Sequence, residues 1–167
     1  MLRRVPYILA LLLATQAGAV AAGTVTNTFN ISATLISACS VSGATLSFGT
    51  AVNPLSTAVP LDATSTLSVQ CTNTTAYAVA LNAGTNAGGA SNFGGRAMAS
   101  GANSIGYQLY SDTGRSTVWG DGSNSSSTVS GTGSGSTQTL TIYGRVPSLS
   151  GAVPGSYSDT VTVTVSY

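Results

Sequence analysis

The two cysteines of this chain, Cys39 and Cys71, are the residues best suited to covalent chemistry. A catalytic thiol needs a base and a metal site needs further soft ligands, but the sequence contains no histidine. An even cysteine count in an exported chain favours a disulfide. Closing a loop of about 33 residues would stabilise the fold by roughly 3.7 kcal/mol in the chain-entropy model. The sequence therefore predicts one Cys39–Cys71 disulfide.

Acid–base and nucleophilic chemistry have few candidate groups, because lysine and glutamate are absent as well. A serine nucleophile would find no histidine or lysine to activate it. The four aspartates lie far apart, and three of them adjoin turn-like residues, which indicates turn or surface roles. We predict no catalytic residue, no enzyme activity, no metal and no cofactor. The charges beyond residue 22 are Arg96, Arg115 and Arg145 against Asp62, Asp112, Asp121 and Asp159.

This near-neutral balance also bears on partners. Nucleic acids and anionic membranes are bound by basic surfaces, which this chain cannot build. The aromatic residues Trp119, Tyr107 and Tyr143 are expected to pack within a sheet or core, and Tyr110 is the best candidate for an exposed contact. Arg96 and Arg145 are expected to make surface hydrogen bonds. We predict no nucleic-acid partner and no small-molecule substrate.

Residues 1–22 are typical of a secretory signal peptide. Two arginines precede a short apolar run, and small residues of the Ala-x-Ala type follow it. The apolar run is shorter than the ~20 residues that a membrane span needs. We predict cleavage after Ala21 or Ala22, export, and one domain in the remaining chain of about 145 residues.

Both ends of the exported chain alternate apolar and polar residues, which predicts β-strands. In residues 24–35 one face carries Val25, Phe29, Ile31, Ala33 and Leu35, with only Asn27 interrupting. In residues 157–167 one face carries Tyr157, Val161, Val163, Val165 and Tyr167.

Shorter strands are predicted between these two ends, and no helical periodicity is present. Residues 82–106 and 120–136 are rich in Gly, Ser and Asn and are expected to be exposed loops, the first with a short strand near residues 96–99. Many short strands with Gly-rich turns favour a β-sandwich of immunoglobulin-like type. The predicted internal strands are residues 44–48, 65–71, 77–81, 105–110, 117–119 and 137–146.

The two terminal strands lack the features that normally protect a sheet edge. An exposed edge is usually blunted by lysine, proline or a bulge, because its unpaired N–H and C=O groups recruit other chains. Residues 24–35 and 160–167 contain no lysine and no proline. Either these strands pair inside one domain or the edge is left open for another chain.

A series of motifs follows the signal peptide: GTVTNTFNISATLISACSV, LSFGT, VQCTN, YAVALNAG, RAMAS, IGYQLYSD, VWGDG, LTIYGRVP and PGSYSDTVTVTVSY. Together they resemble the spore coat protein U-like domain family, the subunit type of archaic (Csu-type) chaperone-usher pili. The resemblance runs over essentially the full exported chain. The terminal block and the two spaced cysteines are its most specific parts, and the length of residues 120–136 is the main departure.

The resemblance implies an all-β fold: an incomplete immunoglobulin-like β-sandwich with one disulfide, completed by a donor strand from another chain. Residues 23–38 would form the N-terminal donor-strand segment, and residues 39–167 the pilin domain. The groove-filling donor residues would be Val25, Phe29, Ile31, Ala33 and Leu35, and the acceptor edge strand would carry Val161, Val163, Val165 and Tyr167. An inserted strand of this kind fills a groove with alternate side chains.

The resemblance also implies a function and partners. The chain would be a structural subunit of an extracellular fibre that polymerises by donor-strand complementation and supports surface adhesion and biofilm formation. Its partners would be identical or related pilus subunits, a periplasmic chaperone and an outer-membrane usher, and its final location a cell-surface fibre reached through the periplasm. The alternative is a self-complemented, monomeric secreted coat or adhesive binding protein, in which residues 24–35 fold back onto their own domain.

Overall fold

The structure is a computed structural model that describes residues 22–43 and 45–167. The chain divides into two units, Met1–Thr34 and Leu35–Tyr167. The predicted signal peptide, residues 1–22, lies outside the described residues except for its last position. Within the described chain, no helix is long and apolar enough to cross a membrane.

The described part of the first unit, residues 22–34, contains no assigned helix or strand, and its side chains are exposed. The predicted strand over residues 24–35 is therefore not formed in this single chain. A strand is defined by the hydrogen bonds to its neighbour, so alternation alone does not produce one. Its role as a donor segment stays a prediction.

The second unit contains every strand that the structure describes. Most of the strands are short, and they are linked by turns and one 3-10 turn at Phe93–Gly95. The strands are β1 Cys39–Gly43, β2 Leu61–Cys71, β3 Ala76–Leu81, β4 Ala97–Ser100, β5 Asn103–Gly106, β6 Gln108–Tyr110, β7 Val129–Thr132, β8 Gln138–Val146 and β9 Val163–Ser166.

The strands form two principal sheets and one hairpin, all antiparallel. The first sheet has the order β1-β2-β8-β6, the second has the order β7-β3-β9, and β4 pairs with β5. The long pairing of β2 with β8 runs from Leu61 opposite Val146 to Val69 opposite Gln138. The all-β prediction is confirmed.

The core follows from the period-2 alternation of the central strands. On β2 and β3 alternate residues point inward, so that Leu67, Val69, Val79 and Leu81 are almost completely buried. Gly144 of β8 leaves a gap on the inner face, which side chains of the β1–β2 connection fill. A Cβ atom at Gly144 would lie 2.9 Å from the Phe48 ring and 3.0 Å from Leu46.

This packing explains a wrong prediction. Residues 45–48, expected to lie in a strand over 44–48, are not assigned to one. Leu46 and Phe48 nevertheless pack against the core. The alternation of residues 44–48 therefore reflects the burial of two side chains over Gly144 and not the pairing of a strand.

Two further strand predictions and one loop prediction differ from the structure. Residues 105–110 were predicted as one strand but are divided between β5 and β6, which belong to different sheets. Residues 117–119 make only isolated bridges, from Val118 to Tyr110 and from Trp119 to Ser127. The predicted loop at residues 120–136 includes β7, which pairs with β3.

The predicted disulfide is confirmed. Cys39 and Cys71 are register partners at the start of β1 and the end of β2, and their sulfurs are bonded. The bond therefore joins directly opposed residues and closes the connection between the two strands. It holds β1, the edge strand of the first sheet, on its neighbour.

We expect replacement of both cysteines by serine to lower the free energy of unfolding by roughly 2–5 kcal/mol, because the unfolded chain would regain loop entropy. Urea unfolding of the oxidised wild-type chain and of the double variant, followed by Trp119 fluorescence, measures the difference. Equal midpoints for the two proteins would contradict a stabilising role for this bond.

Candidate functional site

One side of the sandwich ends in two neighbouring edge strands. β9 is an edge of the three-stranded sheet, and β1 is an edge of the four-stranded sheet. The two strands contact each other across the gap between the sheets. In the described chain β9 bonds β3 on one side, and its other side is an edge with unpaired backbone groups.

The burial of β9 differs from that of its neighbour. Val79 and Leu81 of β3 are at most 1% exposed. Val161, Val163 and Val165 point to the same core but are only half-buried. Tyr167 is 63% exposed. The apolar face beside β9 is therefore incompletely covered.

The opposite side of the sandwich is closed. The Trp119 amide donates to Leu109 O at 3.0 Å, and the Leu81 amide donates to Gly120 O at 3.2 Å. The Trp119 indole Nε1 donates to Val79 O at 2.9 Å, and its side chain is completely buried. Residues 117–120 thus bridge the two sheets there, which leaves the β1–β9 side as the open one.

A buried cation supports the closed side. Arg96 is 2% exposed. Its Nη2 donates to Asn82 O at 2.8 Å and to Trp119 O at 2.9 Å, and its guanidinium lies over the Phe93 ring. Burial lowers the pKa of Arg96 to about 10, so the side chain remains a cation at neutral pH. The prediction that Arg96 lies at the surface is wrong. Residues 82–106, predicted to be an exposed loop, are exposed only in part. The short strand predicted near residues 96–99 corresponds to β4.

The predicted acceptor edge, residues 160–167, is held by backbone hydrogen bonds from the segment that follows β3 and by the pairing of β9 with β3. The amides of Asn82 and Thr85 donate to Thr162 O and Thr160 O at 3.0 and 3.1 Å. Just before the edge, Ser158 and Ala99 exchange two bonds at 2.9 and 3.1 Å. The predicted strand over residues 157–167 is regular only in β9.

The break in this strand lies at Asp159. One carboxylate oxygen accepts bonds from the amide and hydroxyl of Thr85 at 2.9 and 2.7 Å, and from the amide and side chain of Asn86 at 3.2 and 3.0 Å. The other oxygen accepts from the Tyr107 hydroxyl at 2.7 Å. Burial alone would raise the pKa of Asp159, but the bonds from Tyr107 and Thr85 outweigh it and lower the pKa.

Sequence reasoning missed this role of Asp159 and placed the residue in a turn or at the surface. The missed signal is its alternation phase. Asp159 occupies the same phase as Tyr157, Val161 and Val163, so a charged group stands on the face expected to point inward. A carboxylate at such a position needs hydrogen-bond donors.

Asp112 and Asp121 accept hydrogen bonds from residues close in sequence, whereas Asp62 is bound across two strands. Asp62 and Arg145 face each other across β2 and β8 with a bidentate pair at 2.8 and 2.9 Å, and Arg115 approaches the same carboxylate at 3.3 Å. Asp112 accepts bonds from the amides of Ser116 and Thr117, and Asp121 accepts from Ser123. The predicted surface hydrogen bond of Arg145 is confirmed.

These aspartates and arginines are bound to one another or to hydrogen-bond donors in turns. The described residues contain no cluster of three or more His, Cys, Asp or Glu side chains that could hold a metal. Two shallow clefts of about 270 and 200 Å³ are lined by apolar and hydroxyl side chains, with Tyr143 as the titratable member.

Most of the predicted donor residues are among the most exposed large apolar side chains of the described residues. Val25, Phe29, Ile31 and Leu35 are 98, 83, 85 and 89% exposed, and Ala33 is exposed as well. Asn27 accepts a hydrogen bond from the Thr28 amide at 2.9 Å. The seating of these donor residues in a groove stays a prediction.

Two antiparallel sheets, a disulfide and one open side together define an incomplete immunoglobulin-like β-sandwich. The chain belongs to the Spore Coat Protein U domain family, whose model matches residues 25–164. It is 32% identical to Protein U of Myxococcus xanthus over 157 residues, which cover 87% of each protein.

A solved structure shares the fold. It is the chaperone–tip adhesion subunit pre-assembly complex CsuC–CsuE from archaic chaperone-usher Csu pili of Acinetobacter baumannii. The likeness has a TM-score of 0.59 at 24% identity and covers 80% of this chain and 40% of the matched chain. The predicted family and fold class are confirmed.

The aspartates predict how stability depends on pH. The pKa of each of the four lies below its ordinary value, for Asp121 at about 2 because of hydrogen bonds from Ser123 and Ser91. A carboxyl with a lowered pKa stabilises the fold above its unfolded pKa, and this stability is lost as the pH falls through the folded pKa.

We therefore expect the free energy of unfolding to be constant between about pH 5 and pH 8 and to fall below about pH 4. No histidine is present to titrate between these limits. Urea midpoints at a series of pH values measure this. A change in the midpoint between about pH 5 and pH 8 would contradict it.

Proposed function

We propose that the chain is a structural subunit of an extracellular fibre, in which residues 24–35 of one copy complete the open sandwich of the next. The observation that carries this proposal is the half-buried apolar face of β9 at an unpaired sheet edge. A strand added there would pair the edge and cover the valines. Membership of the Spore Coat Protein U domain family and the likeness to a pilus-subunit complex support the same function.

The donor segment matches the edge in chemistry. Residues 24–35 contain no charge, and neither do residues 160–167, so their approach is not opposed by like charges. Burying Val25, Phe29, Ile31 and Leu35 would contribute about 1.5–3 kcal/mol each, or roughly 6–12 kcal/mol before ordering costs. Ladder hydrogen bonds add to this. Such a joint holds subunits together without a covalent bond.

An unpaired apolar edge also needs protection before assembly, because it pairs with any exposed strand. We place a periplasmic chaperone on this edge first, and the donor segment of the next subunit replaces it at an outer-membrane usher. The finished product is a cell-surface fibre that supports adhesion and biofilm formation. Removal of the signal peptide, residues 1–22, precedes these steps.

Phe29 and Ile31 are the central donor residues, and their replacement by aspartate tests the joint. We expect Phe29→Asp with Ile31→Asp to weaken subunit linkage at least about 100-fold, because two buried apolar side chains are lost and charges enter the groove. The matched control is Thr28→Asp with Asn30→Asp, which places the same two charges on the opposite face of the segment. Analytical ultracentrifugation of the exported chains measures the size distribution.

The proposal expects oligomers of the wild-type chain and of the control, and a shift to smaller species for the Phe29/Ile31 variant. Equal assembly of all three proteins overturns it. A wild-type chain that stays monomeric with protected amides in residues 24–35 also overturns it and identifies the self-complemented monomer.

A further inference from the structure

The Asp159 carboxylate connects three separate parts of the chain. It lies directly before the acceptor edge, accepts bonds from Thr85 and Asn86 after β3, and accepts the Tyr107 hydroxyl between β5 and β6. All four N–H and O–H groups of Thr85 and Asn86 that face it converge on one oxygen, at 2.7 to 3.2 Å. Several charge-assisted hydrogen bonds to one carboxylate hold it in a single position and orientation.

The loop that receives the carboxylate is shaped for it. Gly84 is buried and has a φ of +96°, in the region that favours glycine. A Cβ atom at this position would collide with the Asp159 carboxylate. The Asp159 carboxylate can therefore reach Thr85 and Asn86 only because residue 84 has no side chain.

These contacts set where the acceptor edge begins. Backbone hydrogen bonds join Ser158 to Ala99 of β4, Thr160 to Thr85, and Thr162 to Asn82. Asp159 therefore lies where the segment passes from the β4–β5 hairpin to the end of β3. The bonds all lie on the β3 and β4 side. They leave the opposite edge of β9 unpaired.

From this geometry we propose that Asp159 is a positioning residue that holds the acceptor edge in its strand-accepting arrangement before a donor segment arrives. The inference rests on the proposed function, since it concerns the same edge. A strand held in place in advance spares the incoming donor the entropic cost of ordering it, which raises the rate of insertion. Without the carboxylate, residues 158–162 would lose their attachment to Thr85, Asn86 and Tyr107.

The test uses a full-length chain that cannot donate, the Phe29→Asp/Ile31→Asp variant, as the acceptor. A fluorescent synthetic peptide with the sequence of residues 24–35 is added, and its association rate is followed by anisotropy well below the melting temperature. Binding of the peptide to this acceptor tests the proposed function itself. The positioning role is tested by further substitutions in the same background.

Two substitutions remove the contact in different ways. Asp159→Asn removes the charge, and Gly84→Ala keeps the carboxylate but displaces it by collision. We expect each to slow peptide association about tenfold or more. Tyr107→Phe removes one of the bonds and is expected to have a smaller effect in the same direction, which keeps the test available if either larger change prevents folding.

Asp112→Asn is the matched control, because Asp112 also accepts backbone amide bonds, from Ser116 and Thr117, but in a turn away from β9. The proposal expects this variant to lower the melting temperature without slowing association. Equal rates for the Asp159 and Gly84 variants and their parent overturn the proposal, and so does equal slowing by Asp112→Asn, which would show a general loss of stability. Failure of the peptide to bind the parent acceptor would instead contradict the proposed function.

Discussion

The structure depends on the pairing of its sheet edges. A β-sandwich must cover the inner faces of both sheets and satisfy the backbone groups along their borders, and the described part of this chain does so on one side only. Trp119 and the segment around it bridge the sheets at one border. At the other border β9 and β1 stand next to each other, with valines that are only half-buried. An additional strand would pair the free backbone groups at this border and cover its exposed apolar surface.

The scarcity of charge is a second constraint, and it is tied to the first. With few charged side chains available, the chain uses two of them, Arg96 and Asp159, as internal supports. Arg96 binds carbonyl oxygens beside the closed border, and Asp159 binds donors beside the open one. The remaining charges are mostly occupied in one cross-strand cluster and in turns. Residues 160–167 and β1 contain no charged side chain, which suits the proposed association through apolar strands.

The alternation of apolar residues predicted much of the fold. β3 and β8 agree closely with their predicted positions, because both the ladder and the burial of these strands follow the same period. β2 ends where predicted but begins at Leu61, before the predicted residue 65. β7 was missed because its sequence, VSGT, has a single apolar residue and therefore no apolar alternation. Leu46 and Phe48 show the reverse case, since they alternate and are packed on the core without belonging to a strand.

The supports of the candidate site were less accessible from the sequence. Two partners of Arg96 are main-chain carbonyl groups at Asn82 and Trp119, which are distant in the chain and cannot be recognised from residue types. A third is the side chain of Gln108, whose Oε1 accepts from Arg96 Nη1 at 2.8 Å. The inward position of Asp159 could have been read from its alternation phase. The disulfide could be predicted from the presence of two cysteines in a chain with an export signal.

The position of the disulfide has a mechanical meaning in a fibre of the proposed kind. Tension on the donor segment enters the domain through residues 36–38 and reaches β1 at its first residue, Cys39. That residue is covalently bonded to Cys71 at the far end of β2. A pulling force would otherwise separate β1 from β2 one hydrogen bond at a time, beginning at this end. The bond diverts the load directly into the longest strand of the domain, so that β1 is protected from peeling while the fibre is stretched.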